Sequence, residues 1–161
     1  MTQFRLDTGE ALHAAIAGLQ RQFRAIQRQA KNNYGNLVND EFSTNVHAAI
    51  AEATVAKLLG LYANLSTSDR TVADVGNNIE VRSTLYKKGS LILHEKDKDD
   101  RKYYLVCGMY PDLTVVGWRY GHECKKDRYW VTKDKEGKKL EHPYWMVPQS
   151  DLNPELIEVV L

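Results

Sequence analysis

Asp74 and Glu80 flank the run Gly76-Asn77-Asn78, and Arg82 follows Glu80 at the second position on. Glycine and asparagine supply turn chemistry. A tight hairpin at this point sets the two carboxylates side by side at one end of a sheet. Glu80 and Arg82 project from one face of an alternating strand. Paired carboxylates on neighbouring strands form a hard, oxygen-rich nest suited to Mg2+ or Mn2+. Such an ion polarises a phosphoryl oxygen and lowers the pKa of bound water, the two tasks that phosphodiester hydrolysis requires. A cation beside it stabilises charge developing at phosphorus. The chemistry to expect is metal-assisted cutting of a nucleic acid.

Two helices and a set of strands have to position these groups. Residues 8–31 predict a first helix, with Thr8 as N-cap and Leu12, Ile16, Leu19, Phe23 and Ile26 at helical spacing. Its other face carries Arg21, Arg24, Arg28 and Lys31 between glutamines, either a solvated face or one that tracks phosphates. Asn32 to Asn36 reads as a turn. A second helix is predicted over 44–59, capped by Ser43 or Thr44 and stopped by Gly60. Its alanines at 48, 49, 51, 53 and 56 imply close packing, and Glu52 is its one carboxylate. A charge amid alanines is costly to bury without a partner. Either Glu52 joins Asp74 and Glu80, or it faces solvent on a polar stripe with His47 and Lys57.

From Val72 onward the pattern is of short strands. Ile79, Val81 and Leu85 alternate with Glu80, Arg82 and Thr84. Lys87-Lys88-Gly89 reads as a hairpin turn leading into Leu91–Leu93, and strands follow at 103–107, 113–118 and 144–147. Residues 97–102 and 133–139 read as charged turns, and 121–130 as a helix or loop. Two helices before a mostly antiparallel meander predict an α/β (α+β) fold, one domain over 1–161 with its core at 43–154.

In this order of parts the sequence resembles the PD-(D/E)XK nuclease superfamily, with its restriction-endonuclease-like core. Asp74 matches the acid at a strand end, Glu80-Val81-Arg82 matches Glu-x-Lys, and Glu52 matches the acid given by a preceding helix. The segments Val116-Gly117-Trp118-Arg119-Tyr120-Gly121 and Tyr144-Trp145-Met146-Val147-Pro148-Gln149-Ser150 look like parts of uncharacterised phage and prophage proteins near this superfamily. The resemblance covers about residues 43–154. It implies a mixed or antiparallel sheet flanked by helices, a Mg2+- or Mn2+-dependent deoxyribonuclease, and work in the cytoplasm of a bacterial host. Asp74, Glu80 and Glu52 would hold the metal, and Arg82 would steady the scissile phosphate. Arg82 departs from the usual lysine. Arginine stays charged and cannot serve as a base, although it grips phosphate in a bidentate way. Lys88 and Lys96 are candidates for a displaced lysine, or are ordinary surface residues.

A second signal lies where Trp118, Arg119, Tyr120, Lys125, Lys126, Arg128, Tyr129 and Trp130 interleave aromatic rings with positive charge. That mixture suits stacking on unpaired bases and contact with phosphates. Arg119, Lys125, Lys126 and Lys96 are the expected nucleic-acid contacts, with DNA the favoured polymer; Trp118 and Trp130 serve equally well as core.

Composition limits the partners. The chain has 161 residues, 22 basic and 21 acidic side chains and a net charge of +1, so no global field draws it to phosphate. A nucleic acid must be held by a local patch. The first five residues lack the apolar core of a signal peptide, and no run reaches a membrane span. The expectation is a reduced intracellular protein with free Cys107 and Cys124; without a Cys-x-x-Cys pair, a zinc site with His94 and His122 is disfavoured. The sequence leaves a homodimer open. The competing readings are a nuclease fold that binds a nucleic acid or protein without cutting, and an unrelated α+β domain whose acids lie on its surface.

Overall fold

The structure, a computed structural model, describes residues 2–3, 5–28, 41–65 and 71–154. Two helices, α1 (Thr8–Gln27) and α2 (Glu41–Leu59), follow a two-residue strand β1 (Thr2–Gln3). After them come β2 (Ile79–Thr84), β3 (Leu91–Leu93), β4 (Lys102–Met109), β5 (Asp112–Tyr120), a single-turn α3 (Gly121–Cys124), β6 (Trp130–Lys133) and β7 (Lys139–Val147). The fold is mixed α+β, as the sequence predicts.

α1 begins one residue earlier in its capping than Thr8. Asp7 is the N-cap: its carboxylate accepts from the Glu10 amide at 2.8 Å, and Glu10 accepts from the Asp7 amide at 2.8 Å. This reciprocal pair satisfies two amides that the first turn leaves open. α2 starts at Glu41, so Ser43 and Thr44 lie inside its first turn rather than capping it. It ends at Gly60, whose φ of 62° lies in the left-handed region that a residue with a Cβ rarely adopts.

The stripe that predicts α1 is not the face that packs. Ala11, Ala14, Ala17, Gly18 and Gln22 are buried, whereas Leu12, Ile16, Leu19, Phe23 and Ile26 are exposed. α2 explains the choice. Its buried residues are mainly small, Ala49, Ala51 and Ala56 among them, so the two backbones approach closely. A Cβ on Gly18 would stand 2.5 Å from the Asn45 carbonyl oxygen and 2.6 Å from the Val46 Cα. Large side chains have no room on that side. Lys31 and the expected turn at 32–36 lie outside the described residues.

The strands form two sheets. β5, β4 and β2 make the first, lengthened at one edge by β1 in the order β1-β5-β4-β2; the second has the order β3-β7-β6. The expected antiparallel meander is corrected at its centre, because β2 and β4 are parallel, with Glu80 opposite Tyr103 and Arg82 opposite Leu105. Parallel neighbours need a crossover. Residues 85–101 supply it by carrying β3 into the second sheet and returning, so the hairpin expected at Lys87-Lys88-Gly89 is corrected to a turn between strands of different sheets. β4 is buried on both faces: Tyr104 and Val106 join the core under the helices, while Tyr103, Leu105 and Cys107 join Leu91, Leu93 and Val147 under the second sheet. Helices, first sheet and second sheet thus stack around two apolar layers. The region expected as one helix or loop at 121–130 is split into α3, a 3-10 turn at Asp127–Tyr129 and the start of β6. No described helix is long and apolar enough to cross a membrane.

Gly18→Ala tests the helix contact. Alanine favours an isolated helix by about 1 kcal/mol, yet here its methyl group meets backbone, and overpacking costs about 1–3 kcal/mol. Urea unfolding of the variant is expected to show a net loss of stability; a gain would mean that α1 and α2 separate without cost.

Candidate active site

Three elements bring the acids towards one another. α2 directs Glu52 inward, where only 4% of the residue is exposed. The alternative of a solvent-facing Glu52 is therefore corrected, and its supposed stripe partners turn elsewhere: His47 Nε2 lies 2.7 Å from the Gly108 carbonyl oxygen, and Lys57 pairs with Glu10 at 2.6 Å. The cation for Glu52 comes from α1. Arg21 grips it with two hydrogen bonds, Nη1 to Oε1 at 2.7 Å and Nη2 to Oε2 at 2.6 Å. Arg21 is thus neither on a solvated face nor free to track phosphates.

Asp74 sits in a bend ahead of β2 rather than at the end of a regular strand. Val75 and Ile79 bond each other's backbone across the Gly76-Asn77-Asn78 turn, so the expected hairpin shrinks to one bridge. Among the described residues β2 is an edge of its sheet, and an edge strand offers amides without a neighbour. Asp74 takes one of them: its Oδ2 accepts from the Val81 amide at 2.8 Å. That bond holds Asp74 beside the residue between Glu80 and Arg82.

Glu80 and Arg82 share a face, as alternation predicts, with Arg82 Nη1 3.8 Å from Glu80 Oε2. Each also has a partner that the sequence reading missed. Arg101, buried just before β4, donates to Glu80 Oε1 and to the Thr71 carbonyl. Asp97 accepts from Arg82 Nη2 at 2.9 Å, and its other oxygen accepts from the His94 amide at 2.9 Å. Arg82 also lies over the Tyr103 ring, 5.3 Å from its centroid. Asp97 and Arg101 belong to a segment read only as a charged turn. The one available signal was their position directly before a strand that runs parallel to Glu80, and that pairing is not written in local sequence.

The carboxyls of Glu52 and Glu80 respond to this crowding. Burial is the main cause that raises Glu52 to about 7, Asp74 adds repulsion, and Arg21 pulls the other way. Glu80 is likewise raised to about 7, by burial first and Asp74 second, against Arg101 and Arg82. Arg21 is held charged against its own desolvation by Glu52 and Asp74. The two-point guanidinium grip favours the ionised Glu52, and burial opposes it, so the acid exchanges its proton in the neutral range. The three acids are electrostatic neighbours rather than assembled ligands. Among the described residues no three His, Cys, Asp or Glu side chains stand around a common point.

The expected nucleic-acid contacts are placed apart from one another. Arg119 is half-buried and donates to the Tyr129 hydroxyl at 3.3 Å and to the Asp151 carbonyl. Lys125 pairs with Asp99 at 2.7 Å and reaches the carbonyls of Glu95 and Asp97. Both brace loops. Lys96 and Lys126 are exposed, as is Lys88. Trp118 is half-buried with Lys102 4.2 Å above its ring, whereas Trp130 is more exposed and tilts against Trp145 at 4.2 Å. Cys107 and Cys124 are free and buried, and desolvation pushes the Cys124 thiol up to about 12, so it stays protonated. A concavity of about 420 Å³ opens between the start of α1, the end of α2 and residues 61–65, lined by Leu6, His13, Ala56 and Tyr62. None of the three acids lines it.

Two measurements probe the cluster. Arg21→Leu is expected to cost about 3 kcal/mol, because it strands a buried carboxylate, and Arg21→Leu with Glu52→Leu is expected to recover most of that loss. Additive losses in urea unfolding would rule out the coupling. Glu80 binds its proton more tightly folded than unfolded, so its contribution is whole below the ordinary value of 4.5 and is lost as pH rises through about 7. The Tm of Glu80→Gln relative to the parent is therefore expected to climb between about pH 5 and about pH 8. A pH-independent difference would contradict the raised carboxyl.

Compared with family models, curated proteins and solved structures, the chain finds no match in any of the three.

Proposed function

We propose that the chain is a divalent-metal-dependent nuclease with a restriction-endonuclease-like core, hydrolysing phosphodiester bonds in DNA. The observation that carries the reading is the crowding of three acids from separate segments. Glu52 from α2 and Glu80 from β2 both carry Asp74 as a charged neighbour, and both are raised to about 7. Buried carboxylates that hold their protons this far up are common where a site is tuned for chemistry.

The donor set fits Mg2+ or Mn2+, since all three side chains offer hard oxygens. A carboxylate has roughly four lone-pair sites, and the guanidinium contacts at Glu52 and Glu80 leave others open. When bound, the ion would supply a more acidic water and a polarised phosphoryl group. Asp74, anchored through the Val81 amide, would be its fixed ligand; Glu52 and Glu80 would be the ligands that lose a proton or loosen an arginine. Arg82 steadies the phosphate and takes no proton. Arg101, which already holds Glu80, keeps that carboxylate aimed along β2. Lys96 and Lys126 offer exposed charge for the polymer backbone.

The arginines also favour a second reading. Arg21 and Arg101 fill positions beside Glu52 and Glu80 that a metal would otherwise neutralise. A protein that keeps the fold and binds nucleic acid without cutting it would look the same.

Supercoiled plasmid separates the two. Nicking in Mg2+ or Mn2+, lost with EDTA and reduced at least about 100-fold in Asp74→Ala and Glu80→Ala, is the expected result. Retarded DNA mobility without a nick in either metal would leave the binding protein and remove the nuclease.

A further inference from the structure

The outward face of α1 has a spacing that the described residues leave largely uncovered. Leu12, Ile16, Leu19, Phe23 and Ile26 follow one another in steps of four, three, four and three residues. That is the alternation of a and d positions in a heptad, the narrow seam along which one helix meets another. Their exposures are 61%, 47%, 39%, 58% and 53%. Phe42 of α2, 37% exposed, packs edge-on against Phe23 at 5.4 Å and widens the stripe. Scattered apolar residues on a surface are ordinary, but a contiguous stripe of large ones marks an interaction site.

We infer that this stripe is the interface between two copies of the chain, paired α1 against α1. Three observations select a second copy. First, the seam is helical in its periodicity, so its complement is another helix with the same repeat, and α1 is itself such a helix. Second, the α1 positions flanking the seam are His13, Gln20 and Gln27 on one side and Ala15 and the buried Gln22 on the other, with Glu41 of α2 beyond Gln22, whose amide donates to it at 2.6 Å. The α1 flanks thus carry no acid, lysine or arginine, which keeps like-charge repulsion between two identical helices low. The arginines of this helix, Arg21, Arg24 and Arg28, fall outside both seam and flanks. Third, the size is adequate. Five large apolar side chains about half uncovered leave on the order of 400 Å² of surface. Two such faces with the exposed Gln20 and Gln27 approach the roughly 1,000 Å² that a specific interface requires.

The inference stands apart from the proposed chemistry, since the seam is the exposed face of α1, whereas Arg21 reaches Glu52 from its inner side. Sedimentation velocity of the full chain from about 1 to about 200 µM tests it at concentrations that span a typical dimer constant. The expected result is a concentration-dependent shift from the 18.4 kDa monomer to a species of twice that mass. Phe23→Glu and Ile16→Glu are each expected to weaken the association by at least about 10-fold, while Leu85→Glu, at an exposed site on another face, leaves it unchanged. Circular dichroism checks that each variant keeps its helices; Ile26→Gln, milder and at the far end of the stripe, replaces either variant that does not. A monomer throughout the range, or a dimer indifferent to all of the stripe substitutions, overturns the proposal and leaves the stripe to some other occupant.

Discussion

A carboxylate in the middle of an alanine-rich helix is tolerable only if a cation is buried with it, and the pairing of Glu52 with Arg21 meets that condition. Transferring either charge alone out of water costs several kcal/mol, so neither residue could hold its place without the other. The pair fixes more than itself. Arg21 reaches Glu52 in two-point geometry because α1 and α2 lie close, and they lie close because Gly18, Ala14 and Ala17 present almost no side chain to α2. Small residues in the helix contact and charged residues in the site are therefore one constraint seen at two points.

The first sheet imposes the second requirement. β4 is apolar on both faces and needs cover on both, which places helices on one side and the second sheet on the other. β2 is left at the edge, with amides directed away from β4. Asp74 closes one of these, which ties an acid to backbone rather than to a guanidinium. The contrast with its neighbours matters. Glu52 and Glu80 are balanced by arginine side chains, while Asp74 is held by a strand amide.

Local sequence told part of this and could not tell the rest. The two helices, the turn before Leu91 and the strand at Ile79–Thr84 follow from periodicity and turn residues acting over a few positions, and each lies close to where the sequence puts it. Glu80 and Arg82 on one face follow from alternation alone. The partners Arg101 and Asp97 were hidden because they depend on the parallel pairing of β2 with β4, a contact that spans the whole crossover. Arg21 was visible as a charge but not as a partner, since its role depends on the direction in which α1 is rotated. That rotation was misread for a physical reason: the large apolar stripe carries the stronger periodic signal, yet packing against alanines selects the small face. Lys125 and Arg119 show the same limit, because charge in a sequence does not say whether the group faces solvent or braces a loop.

The two faces of α1 join these points. Its inner face supplies the guanidinium on which the burial of Glu52 depends, and its outer face carries five large apolar residues in heptad register. A helix is rigid along its length, so anything that settles on the outer face also restricts the rotation of the inner one. Rotating α1 by a fraction of a turn would withdraw Arg21 from Glu52 and leave a desolvated carboxylate beside Asp74, which is an expensive arrangement. Occupation of the outer stripe would thus oppose the same motion that the buried pair opposes.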